Sequence, residues 1–125
     1  MQQANVNDHA VLAHERLDAY QVALEFLALA HALARRLPRA KGQLGDQLAR
    51  AAESVALRIA EAAGAEWHSA DQKRHFRAAR GSALECSAVL DICRIRGVGD
   101  RGQLEQGRAL LLRLVQMLSR LARLS

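Results

Sequence analysis

The sequence predicts an all-α fold, an antiparallel up-down-up-down four-helix bundle, and three observations carry that expectation. Half of the residues are apolar but only four are aromatic, Tyr20, Phe26, Trp67 and Phe76, so the apolar content is mostly Ala and Leu, the best apolar helix formers. Pro38 is the sole proline, and no run of β-branched residues alternates with period two. Apolar residues recur instead at spacings of three and four, over four stretches of about twenty residues with short breaks between them. At 125 residues the chain is one domain by the length prior, and about two-thirds of its unfolded surface is buried on folding.

Residues 1–13 are polar and unpatterned and are expected to form a flexible N-terminal segment, with the bundle occupying 14–125. The first helix should begin near Leu17, with Leu17, Tyr20, Leu24, Leu27, His31 and Ala34 as its buried face. It should end before Pro38, because the residue preceding a proline is pushed out of the α region. Arg39 to Gln43 then reads as a short basic loop. A second helix follows from about Leu44 to Ala63, burying Leu44, Leu48, Ala51, Ala52, Val55, Ile59 and Ala62, with Gly64 as its stop.

Ser69 is a suitable N-cap for the third helix, and Gln72 stands three residues on as a capping-box partner. That helix presents Phe76, Ala79, Ala83, Cys86, Leu90 and Cys93 on one side and closes at Gly97-Val98-Gly99. The fourth runs from Arg101 or Gly102 to about Leu121, with Leu104, Leu111, Leu114, Leu118 and Leu121 as a stripe widened by Leu110, Val115 and Met117. This stripe is wider than a bundle core requires. Surplus apolar surface marks a partner-facing patch, so self-association is expected.

The motif search excludes more than it finds. Ferritin-like bundles hold metals through Glu-x-x-His pairs, and none occurs here; nor does HExxH or a P-loop. Asp71 with His75, and His68 with His75, have helical spacings that allow a lone surface metal contact, but capping and solvation explain them more simply. No metal, cofactor, small-molecule substrate or catalytic residue is therefore expected. His31 reads as a hydrogen-bonded core or interface histidine. Cys86 and Cys93 lie about 10 Å apart on one helix face, too far for a disulfide, and read as small buried hydrophobes. No secretory signal and no membrane-length apolar run is visible, so the expected location is the cytoplasm.

The charge is more suggestive. Formal net charge is +5, and the basic side comprises sixteen arginines and two lysines, Lys41 and Lys73. Arginine offers oxyanions a planar, permanently charged fork. In an antiparallel bundle, Arg35, Arg36, Arg39 and Lys41 share a pole with Arg94, Arg96 and Arg101, relieved mainly by Asp46, Asp91, Asp100 and Glu105. Lys73, Arg77 and Arg80 share one face of the third helix, beside Arg74. Cationic stripes with little aromatic interleaving suit phosphate contact better than base stacking. The candidate nucleic-acid-binding residues are thus Arg35, Arg36, Arg39, Lys41, Arg50, Arg58, Lys73, Arg77 and Arg80. The plainer reading of the same residues is a solvated helix surface, or cations consumed in contacts of an assembly scaffold.

Two central segments carry small and polar residues where a plain structural helix would carry Leu or Lys. Leu48, Arg50-Ala51-Ala52, Ser54-Val55, Ile59-Ala60-Glu61 and Gly64 form the first; Arg74, Ala79, Gly81-Ser82 and Glu85 form the second. On these residues, and on Leu17-x-x-Tyr20, the chain resembles the four-helix-bundle proteins of bacterial 23S ribosomal RNA intervening sequences, from about Leu17 to the end of helix four. The family pattern is roughly L-x-R-A-A-x-S-I-x-x-N-I-A-E-G-x-G-R, then R-F-L-x-x-A-x-G-S-L-x-E. Here Arg58 stands in place of the Asn, Ala62 and Ala65 in place of a Gly and an Arg, and His75 and Phe76 in place of Phe and Leu. The resemblance implies a cytosolic, non-enzymatic, left-handed bundle. It also implies a homo-oligomeric ring, often a pentamer, with a positive surface for nucleic acid, as in the related accessory proteins of diversity-generating retroelements. Ser54, Glu61, Gly64, Gly81, Ser82 and Glu85 are expected to be close-packing and register positions rather than a catalytic set.

Overall fold

The computed structural model describes residues 12–38 and 43–122. A 3-10 turn at Ala13–Arg16 leads into four helices: α1 (Asp18–Arg36), α2 (Leu44–Gly64), α3 (Ala70–Arg96) and α4 (Arg101–Leu121). Residues 1–11, most of the segment expected to be flexible, lie outside the described residues, as do Arg39 and Lys41. Each helix packs against the next in sequence and α4 packs back against α1, while the diagonal pairs make no close backbone contact. Four helices around one core is the bundle that the periodicity predicts.

The core joins all four helices through Phe26, Leu48, Val55, Ile59, Phe76, Leu114 and Leu118, all essentially inaccessible to solvent. On α3 the six predicted positions from Phe76 to Cys93 are all buried. On α1 the expected face is one residue out of phase. The buried positions are Ala19, Val22, Ala23, Phe26, Ala30 and Leu33, whereas Leu17, Tyr20 and Leu27 flank the core and His31 is half exposed. A one-residue slip turns a helix by about 100°, and the choice falls to Phe26. Its ring fills the gap left by Gly107 on α4: a Cβ there would stand 3.4 Å from Phe26 Cε1 and 3.1 Å from Leu90 Cδ1.

The helix ends follow local chemistry. Ser69 Oγ accepts from Gln72 N at 3.1 Å, capping α3 as expected, and Asp100 caps α4 by accepting from Gln103 N at 2.9 Å. Gly97, at φ +73°, closes α3 with Val98 N donating to Cys93 O, the left-handed helix stop that favours glycine. Gly64 does not act in this way. It is the last residue of α2, and the chain leaves through extended Ala65. Gly99, also at positive φ, packs on Leu33 and Leu37, which places the α3–α4 turn at the same pole as the end of α1.

Candidate nucleic-acid interface

Arg80, Ser87 and Arg94 recur every seven residues on α3 and therefore share one side of it. Ser87 and Arg94 line a small cavity of about 120 Å³ against Arg101 and Arg108 of α4, so that side faces the α3–α4 seam. Lys73 continues the seven-residue series toward the start of α3, and Arg77 lies beside it. The cations thus run along the seam for about 30 Å at the helical rise. Asp91 and Glu105 are the carboxylates in the cavity wall, and Asp91 is engaged with Arg94 at 3.4 Å. No carboxylate pairs with Lys73, Arg77 or Arg80 among the described residues. Arg80 is partly buried, and its Nε meets no hydrogen-bond acceptor. A buried guanidinium N–H without a partner is costly, and a carboxylate or phosphate oxygen is an acceptor its geometry suits.

The other nominated cations lie elsewhere. Arg35 and Arg36 sit at the far end of α1, exposed. Arg50 lies on the outer side of α2, and Arg58 is spent on Glu61 one turn along the same helix, at 3.3 Å. The seven candidates among the described residues therefore do not converge on one face. Sequence reasoning placed Arg94 and Arg101 only at a pole and passed over Arg108; the signal for Arg94 was its place in the seven-residue series of Lys73, Arg80 and Ser87 on α3.

Of the small and polar motif residues, Ser54 and Ser82 meet at the opposite seam, between α2 and α3. Ser54 Oγ and Ser82 Oγ are hydrogen-bonded at 2.9 Å across it, which fixes the register of the two helices. Glu61 lies 3.5 Å from His75 Nδ1, and Asp71 lies 3.7 Å from His75 Nε2; at such lengths neither contact is a hydrogen bond. Glu85 is exposed with no ion pair among the described residues, and Gly64 and Gly81 have open space where a Cβ would stand. Register is thus set by the serine pair, and these three positions do not close-pack within the chain. His31 Nε2 approaches Glu53 across α1 and α2 at 3.3 Å, both half exposed, a surface contact rather than a core one.

Gln72, expected as the capping-box partner of Ser69, is the one buried polar side chain among the described residues. It does not complete the capping box. Its Oε1 accepts from His68 N at 2.8 Å and its Nε2 donates to Ala62 O at 3.0 Å, tying the α2–α3 loop to the end of α2.

Among the described residues no group of His, Cys, Asp and Glu could hold a metal ion, and no helix is long and apolar enough to cross a membrane. Burial, reinforced by neighbouring Glu85, pushes the Cys86 thiol up to about 12, and burial raises that of Cys93 too, so neither is a poised nucleophile. Gly97 to Gly102 spells G-x-G-x-x-G, but it follows a helix rather than a strand, and the Asp100 carboxylate occupies the cap position that a bound phosphate would need.

No curated protein matches the chain. Among solved structures it is similar to a protein of unknown function from the S23 ribosomal protein family of Bacteroides thetaiotaomicron VPI-5482. Identity is 21% and the TM-score 0.70, with 83% of this chain and 97% of that one covered, a likeness that supports the fold. The family model for 23S rRNA-intervening sequence proteins matches residues 15–120, spanning all four helices. The chain belongs to the 23S rRNA-intervening sequence protein family.

Proposed function

We propose that this protein is a non-catalytic, self-associating bundle of the cytosol that binds RNA or another nucleic acid along its α3–α4 seam. The observation that carries the reading is Arg80, a partly buried cation with an unmet Nε, in line with unpaired Lys73 and Arg77. Buried or half-buried cations are retained where an anionic partner completes them. Family membership agrees with an RNA context without naming a target. The test is binding of a structured RNA over a salt series. Affinity falls linearly on logarithmic axes with a slope of about 0.7 to 0.9 per phosphate contact; absent or salt-independent binding refutes the reading.

A second reading, an assembly scaffold with no nucleic-acid role, is favoured by one specific feature. Gly81, Leu84, Ala88, Ile92 and Ile95 form a 3-4-4-3 stripe on α3, all exposed, with Ile95 81% exposed. Such spacing presents a continuous seam to another helix, and a second copy supplies one by symmetry. Assembly through the stripe fits either reading, because it leaves the cationic seam beside it free. Native mass measurement separates them, since a scaffold alone assembles yet leaves RNA unbound at low salt.

A further inference from the structure

The α2–α3 loop holds Trp67 and His68 in an exposed position, at the end of α3 where Lys73 lies. An exposed indole alone carries no message, because single surface hydrophobes are common. Here the backbone beneath it is strained and pinned. His68 adopts φ +68°, a left-handed conformation that is unfavourable for a residue with a side chain. It is held there by the buried Gln72, which takes the His68 N–H on Oε1 and anchors itself on Ala62 O. Ser69 Oγ fixes the next turn through Gln72 N. A buried amide with both ends used thus stabilises a loop whose two aromatic rings, 6.2 Å apart and edge to face, point away from the core.

The surroundings favour a polyanion with flat apolar parts. Of the nearby carboxylates, Asp71 is engaged by Arg74, and Glu61 by Arg58, leaving Glu66 as the one without an ion pair among the described residues. Against it stand Lys73, Arg77 and Arg80, unpaired and climbing the flank of α3 over about 10 Å from the loop. Rings beside a line of cations match a nucleic-acid strand whose bases are free to stack while its phosphates follow the cations. A duplex keeps its base faces stacked inside and cannot use the rings.

We propose that Trp67 and His68 form a base-stacking platform that makes the seam selective for single-stranded nucleic acid, with Gln72 as its positioning residue. This rests on the nucleic-acid reading above and adds the class of strand. Because Trp67 is the sole tryptophan, its fluorescence reports on the platform directly. The experiment titrates the full chain at low salt with an unstructured oligouridine and with an RNA duplex of equal length, following both binding and fluorescence. The expected result is quenching that saturates with single-strand binding. Trp67→Ala weakens that binding about tenfold and Trp67→Phe retains most of it, while duplex binding is indifferent to both changes. Single-strand binding without quenching, or unaffected by Trp67→Ala, overturns the platform and leaves the seam reading standing. Quenching that depends on protein concentration alone overturns it in favour of a contact between copies. No binding of either RNA overturns the platform and the seam together.

Discussion

Gly81 sits in mid-helix on α3, the longest of the four, with nothing within 4 Å of the place a Cβ would take. A glycine there costs about 0.5–1 kcal/mol relative to alanine, and nothing inside the chain requires it. Gly81→Ala is therefore expected to raise the unfolding free energy of the monomer by that amount in denaturant melts. If a second copy packs closely on the stripe, the same change weakens assembly, which sedimentation reads separately. The cysteines give a second residue-scale prediction. Both thiols are buried and their ionisation is pushed upward, so alkylating reagents should modify neither until the protein unfolds. The sign of the pH effect follows. Unfolded Cys86 ionises near 9.0 and folded Cys86 near about 12, so its contribution is intact below 9.0 and is lost as pH rises between the two values. Cys86→Ala should flatten that alkaline decline, while the cavity it opens lowers stability at neutral pH.

Among the elements, α3 and α4 carry both candidate surfaces. The outward stripe on α3 and exposed Leu112 on α4 lie at the same level, because Leu90 packs against Gly107 and the helices run antiparallel from that point. Replacing Leu84 and Ile95 with glutamine is expected to leave the fold intact and to reduce assembly at micromolar concentration, checked by native mass; unchanged assembly would place the interface elsewhere. How far the sequence reveals these elements depends on what distinguishes one face from another. On α3 the three-four spacing of Phe76, Ala79, Ala83, Cys86, Leu90 and Cys93 locates the core, although Leu84, Ile92 and Ile95 are also apolar and lie outside it; on α4 the spacing of Leu104, Leu111, Leu114 and Leu118 does the same. On α1 two neighbouring faces are almost equally apolar, and Phe26 against Gly107 decides between them, a pairing between helices that no local pattern contains. Ser69 and Asp100 act through contacts three residues away, which is a range that sequence reading covers. Gln72 bridges to Ala62 ten residues back, so its role emerges only after folding. The site is less legible than the fold for the same reason. Single-helix spacing finds Lys73, Arg77 and Arg80, but Arg101 and Arg108 meet Ser87 and Arg94 only across the seam.

For the whole molecule, ion pairs among the described residues engage only three of the sixteen arginines. The arginine pairs present, Arg58–Glu61, Arg74–Asp71 and Arg94–Asp91, are exposed and each spans one turn of a single helix, a kind that contributes at most about 0.5 kcal/mol. The unpaired cations are then available to an outside anion, and their field attracts one from a distance that shrinks with added salt. The central claim is that the α3–α4 seam, rather than net charge at large, binds RNA. The measurement that tests it most directly compares salt slopes of RNA binding for the unaltered chain, for Lys73, Arg77 and Arg80 all changed to glutamine, and for Arg35 and Arg36 changed likewise. The seam variant should lose about two units of slope and most of its affinity, while the pole variant stays close to the unaltered chain. Equal losses per charge removed in both variants would show that the cations act only as a diffuse field, and would contradict the seam.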